Sequence, residues 1–153
     1  MKKSIGNKFM AEPYRMRILF DTNVLLDALL EREPYVRDAA ELLAAVEMGT
    51  LSGLLGATTV TTIAYIAERA LGRERTLQGI YRLLTLFEVA PVTRVVLEDA
   101  LRLDFQDFED GVLHEAARHA AAEGIVTRNV RDFSQAVLAV YTPAELLPII
   151  QQR

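Results

Sequence analysis

The stretch Arg17-Ile18-Leu19-Phe20-Asp21-Thr22-Asn23-Val24-Leu25-Leu26-Asp27 decides how the chain is read. Its short apolar run, Ile18 to Phe20, fits a buried strand and stops at an acid, a hydroxyl and an amide. Asp21 is therefore expected at the carboxyl end of a strand. In open α/β sheets ligands bind at that edge, because its loops gather side chains from several strands into one crevice. The polar trio also suits a helix start, with Thr22 or Asn23 near the cap and Val24, Leu25 and Ala28 beginning an apolar face. Capping is the plainer use of such an acid, and chemistry needs further acids to join it.

Beyond this stretch, strand-like and helix-like segments alternate. Helical spacing is expected over residues 23–32 and 34–49, with Pro34 in a first turn and Gly49 as the C-cap. Residues 51–57 read as a buried strand, weakened by Gly53 and Gly56, and Thr58, Thr59, Thr61 and Thr62 lead into a threonine-capped helix. Further helices are expected over 73–86, 93–103 and from the acid run at 104–110 through Ala122, with Gly124 as the stop. Short strands are expected at 87–90, 125–127 and 137–140, and Thr142-Pro143 opens a terminal helix. This alternation argues an α/β fold: a three-layer α/β/α, Rossmann-like sandwich around a central, mainly parallel sheet of about five strands.

With 153 residues the chain is the size of one domain, expected over residues 16–149, with a flexible extension at 1–15 and a tail at 150–153. No cysteine is present, which removes disulfide frameworks, thiolate zinc sites and cysteine nucleophiles together and suits a reducing, cytoplasmic compartment. The two histidines, His114 and His119, do not make an imidazole cage, so a metal site would be built from oxygen ligands that favour Mg²⁺ or Mn²⁺. No apolar run reaches membrane-spanning length. The net charge of −4 counts against a broad basic face for nucleic acid, yet leaves room for an acidic site where a bound cation is the local positive charge.

Acids recur at three junctions: Asp21, the run Asp104-Phe105-Gln106-Asp107-Phe108-Glu109-Asp110, and Asp132 after Thr127-Arg128-Asn129. A parallel sheet brings such junctions to one edge. Two carboxylates within a few ångströms repel by roughly 4 kcal/mol at an effective dielectric near 20, so acids that converge there call for a divalent cation. Within the second run Asp107 suits an N-cap, whereas Asp110 lies deeper in the helix and suits an inward ligand.

The three stretches Phe20-Asp21-Thr22-Asn23, Asp107-Phe108-Glu109-Asp110 and Thr127-Arg128-Asn129-Val130-Arg131-Asp132-Phe133, in this order and spacing, resemble the signatures of the PIN-domain family. The likeness spans residues 16–149. It implies a Mg²⁺- or Mn²⁺-dependent ribonuclease, in many small members the toxin of a VapBC-type toxin–antitoxin pair whose antitoxin tail fills the active-site groove. Carried over, Asp21 and Asp110 match metal-binding acids, Asp132 or Asn129 the fourth corner, and Thr22, Asn23, Asp107 and Thr127 supporting positions. Arg128 is expected to contact the RNA backbone. One family acid is missing, for its place falls on Ala64 or Tyr65, and Glu68 one turn later is a possible substitute. The branch with Asp-Phe-Glu-Asp and Thr-Arg-Asn signatures often shares this loss, so a binding module without cleavage is the alternative. The helices over 34–49 and 73–86 offer faces for an antitoxin or a homodimer, although core packing is their first use.

Overall fold

The computed structural model describes residues 14–152, so the first thirteen residues of the expected extension, and Arg153, lie outside it. Its strands are β1 (Arg17–Phe20), β2 (Ser52–Gly56), β3 (Glu88–Ala90), β4 (Gly124–Val126) and β5 (Ala139–Tyr141). Its α-helices are α1 (Thr22–Leu29), α2 (Val36–Glu47), α3 (Ala57–Leu71), α4 (Arg73–Leu86), α5 (Arg94–Leu101), α6 (Phe108–His119) and α7 (Pro143–Gln151). A 3₁₀ turn covers Val130–Phe133.

The strands form one parallel sheet in the order β3-β2-β1-β4-β5. Alternation along β1 shows why it is central. Ile18 and Phe20 join the apolar cluster that includes Val24, Leu25, Leu42, Ile63 and Leu146, while Leu19 joins a second cluster with Val96, Val112, Leu113 and Ile125. Because side chains alternate across a strand, these clusters lie on opposite faces of the sheet, with α1–α4 and α7 contributing to one and α5–α6 to the other. This is the three-layer sandwich expected from the sequence. The chain runs outward from β1 through β2 to β3, then returns to pair β4 against the free side of β1. Strand order therefore reverses at β1, which opens a crevice beyond its carboxyl end.

Gly53 and Gly56 are strand residues because of what lies over them. A Cβ on Gly53 would stand 2.6 Å from the Phe87 ring and 2.9 Å from Val46 Cγ2, and one on Gly56 would stand 2.5 Å from Leu113 Cδ2. Close packing of the helical layers onto β2 thus outweighs the low strand propensity of glycine.

Several boundaries differ from expectation. The N-cap of α1 is Asp21 itself, not Thr22 or Asn23. The threonines after β2 lie inside α3, whose cap position is Gly56 and makes no side-chain hydrogen bond; Thr61 and Thr62 instead bond back to the Thr58 carbonyl. Helix α6 ends at His119, where Ala121 takes a positive φ of 59°, so Gly124 begins β4 rather than stopping the helix. Helix α7 runs through Ile150, which is buried, to Gln151, so the tail expected from residue 150 is part of the domain. Its start is as expected, with Thr142 and Glu145 forming a capping box and Pro143 in the first turn. None of the helices among the described residues is long and apolar enough to cross a membrane.

Candidate metal centre and nuclease site

Asp21 sits where β1 gives way to α1, with its backbone N–H bonded to the Val126 carbonyl of β4 at 2.9 Å. Its carboxylate is divided between two duties. Oδ1 accepts the Thr22 N–H at 2.8 Å, capping α1, while Oδ2 accepts the Thr127 hydroxyl at 2.7 Å and the Asn23 amide at 3.4 Å. Capping and site-building are therefore not rival readings of this acid. Asp21 is 6% exposed, and burial holds its carboxyl above the usual range despite the hydrogen bonds from Thr127 and Thr22, with the nearby Asp132 charge adding to the rise and the Arg128 charge opposing it. The Asn23 carbonyl oxygen is buried and has no hydrogen-bond partner.

Asp110 lies in the first turn of α6, three residues after Asp107, which caps the helix through the Glu109 N–H at 2.8 Å. Burial first, then the charges of Asp21, Asp107, Asp132 and Glu109, push the Asp110 carboxyl up to about 7. The three acidic junctions thus meet at one sheet edge. Asp104, Phe105, Gln106, Asp107, Asp110, Arg131, Asp132, Ser134 and Gln135 line a cavity of about 560 Å³ there. Thr127 is fully buried, and its hydroxyl also accepts the Asn129 N–H at 3.0 Å, tying the segment after β4 to Asp21.

The site's chemistry fits a hard cation. A buried carboxylate, a second one raised by burial and then by its like-charged neighbours, and an orphaned amide oxygen together present oxygen donors whose mutual repulsion a divalent ion would relieve. The carboxylates of this edge are not drawn into a tight trio. Among the described residues, the group of three whose ligating atoms fall within 4.8 Å is Asp99, Glu115 and His119, on α5 and the far end of α6. That group already has its cation, since the Arg118 guanidinium lies 2.9 Å from Glu115 and 3.3 Å from Asp99.

A family model described as PIN domain matches residues 17–131. The chain belongs to the PIN-domain family. Solved structures share the fold at low identity. A toxin–antitoxin complex from Klebsiella pneumoniae is 24% identical with a TM-score of 0.63, covering 82% of this chain and 97% of that one. FitAcB from Neisseria gonorrhoeae is 22% identical with a TM-score of 0.62, covering 83% and 98%. VapC20 of Mycobacterium tuberculosis, described as a sarcin-ricin loop cleaving toxin, is 17% identical with a TM-score of 0.57, covering 71% and 86%. No curated protein sequence matches.

Other expected positions in this PIN domain fall differently. Ala64 is half-buried and Tyr65 exposed on α3, and neither carries a ligating group suited to a hard cation. Glu68 is exposed, roughly 16 Å along α3 from its start at 1.5 Å per residue. Thr59, which the sequence did not single out, is fully buried and shares a 2.9 Å hydroxyl contact with Thr22, joining α3 to the helix behind Asp21. Arg128 is held within the fold. Its guanidinium bonds both oxygens of buried Asp27, at 2.6 and 3.3 Å, and lies 4.0 Å over the Tyr35 ring, beside a separate cavity lined by Pro34, Tyr35, Asp38 and Thr142. Asp27 also takes Arg32 at 2.9 Å. The cation that does line the acidic cavity is Arg131, three residues on.

Proposed function

We propose that this PIN domain is a Mg²⁺- or Mn²⁺-dependent endoribonuclease of the cytoplasm, the toxin of a type II toxin–antitoxin pair. The observation that carries the reading is the arrival of acids from three separate junctions at one sheet edge, where Asp110 and Asp132 line one cavity and the charges of Asp21 and Asp132 reach Asp110. Structural likeness to toxin–antitoxin complexes supports the biological setting and an antitoxin partner, and the RNA-cleaving neighbour supports RNA as substrate.

Asp21, Asp110 and Asp132 would hold the metal, with Asn23 and Asn129 near it. When bound, the ion supplies a water of lowered pKa and polarises a phosphoryl oxygen. Thr127 and the Thr22 N–H fix the Asp21 carboxylate in one orientation, leaving no rotamer search at the moment of reaction. A carboxylate of this edge would take up the proton of the attacking water as general base.

The rival reading, a module that binds RNA or a partner protein without cleaving, rests on the absence of a ligand at Ala64 and Tyr65. Incubating structured RNAs with the chain in Mg²⁺ or Mn²⁺ separates the two. Cleavage that is lost in Asp21→Asn and in Asp110→Asn supports the nuclease. Cleavage unchanged in Asp21→Asn would remove that residue from the mechanism, and a parent that cleaves no RNA and binds no metal favours the module.

A further inference from the structure

We infer that Arg131 is the residue that draws the phosphate backbone of the substrate into the acidic cavity, an inference that rests on the ribonuclease reading above. The cavity wall carries Asp104, Asp107, Asp110 and Asp132 against a single cation, Arg131. A polyanionic strand approaching that wall is repelled at every acid, and a metal among Asp21, Asp110 and Asp132 compensates only for the phosphate beside it. The neighbouring phosphate needs its own counter-charge.

Arg131 is free to supply it. Its side chain is exposed, and among the described residues it makes no ion pair or side-chain hydrogen bond. Arg128 is not available in the same way, because Asp27 and the Tyr35 ring already hold both edge and face of its guanidinium. Nor is Arg131 carried on a loose loop. It lies in the 3₁₀ turn Val130–Phe133, anchored by buried Phe133, whose ring meets Phe105 edge-on at 5.9 Å, and Phe105 itself lines the cavity. A guanidinium presented from a fixed turn, immediately before a site acid, suits bidentate contact with phosphate. The sequence drew attention to Arg128 for this role; the fold gives it to the next arginine.

The test is fluorescence anisotropy with a labelled single-stranded oligoribonucleotide in Mg²⁺, in the Asp21→Asn background so that the strand stays intact, across a salt series. Arg131→Gln is expected to weaken binding about tenfold and to lower the slope of log affinity against log salt by about 1, as the loss of one phosphate contact requires. Arg131→Lys should restore the slope and part of the affinity, and Arg102→Gln, on the exposed Asp99 pair, should change neither. Equal binding and slope in Arg131→Gln, or weaker binding with the slope unchanged, overturns the inference and leaves the ribonuclease reading standing. A parent chain that neither binds nor cleaves RNA overturns both.

Discussion

Thr127 and Asp21, 106 residues apart, share the shortest polar contact of the acidic edge, a hydroxyl donated to Oδ2 at 2.7 Å just beyond the carboxyl ends of β4 and β1. Both are buried, so the donor has no water to replace it. Thr127→Val keeps the shape and removes the O–H, leaving Asp21 with one fewer donor and the Asn129 N–H without its acceptor. The expected cost is about 2 kcal/mol in urea unfolding at pH 8. Metal affinity, read from the Mn²⁺ dependence of the melting temperature, should fall by about ten- to a hundredfold, the usual effect of losing a group that orients a ligand.

Asp110 makes the metal-free protein less stable as the solution goes from acid to neutral. Its carboxyl titrates near 3.9 when unfolded and at about 7 when folded. Between those values the folded state binds the extra proton, so stability declines as pH rises from about 4 to about 7 and the full penalty persists above. Discounted for the partial exposure of the side chain, the penalty is about 1–2 kcal/mol. Urea midpoints measured in chelator should therefore drop across that window. Asp110→Asn should flatten the profile and be the more stable chain at pH 8; an equal pH dependence in parent and variant would show that Asp110 does not carry this charge.

Asp27 is 1% exposed and answers two arginines, Arg32 and Arg128. Asp27→Leu alone leaves the Arg128 head group stacked on Tyr35 with no anion, at an expected cost of about 3 kcal/mol. Removing the arginine as well, in Asp27→Leu/Arg128→Met, should recover most of that loss, because the penalty lies in the stranded charge. Chemical denaturation of the two variants side by side measures the difference.

Gly53→Ala places a methyl 2.6 Å from the Phe87 ring and 2.9 Å from Val46 in a layer with no slack. Overpacking of about 1–3 kcal/mol is expected. The change falls on β2, away from the acidic edge, so its effect should appear in the melting temperature and leave metal affinity alone.

The sheet and its layers were legible because they follow from local pattern: an apolar run ending in an acid at Phe20-Asp21, helical spacing at 34–49 and 73–86, and Thr142-Pro143 as a start signal. That three acidic junctions could meet at one edge followed from parallel topology; which acids do so did not. What local pattern does not carry is the direction of a long side chain. Arg128 and Arg131 are near neighbours in a polar turn, and only the position of Asp27 on α1 and Tyr35 before α2 shows that the first is claimed by the fold. Likewise Glu68 lies one turn past the vacant position in sequence, and local pattern did not show that it is exposed on α3. Thr59 was hidden among four threonines, and its contact with Thr22 depends on how α1 and α3 cross.

Strand order has a consequence for when this protein becomes dangerous to its surroundings, if it cuts RNA as proposed. Asp21 is synthesised well before its N–H partner Val126 and its hydroxyl donor Thr127, which lies 106 residues further along the chain. A nascent chain that has made β1, β2 and β3 still lacks the strand that completes the crevice, and the acids of α6 have not yet been brought to it. The acidic edge forms only when synthesis of the domain is nearly done, so an activity built there, as proposed, would wait for that point.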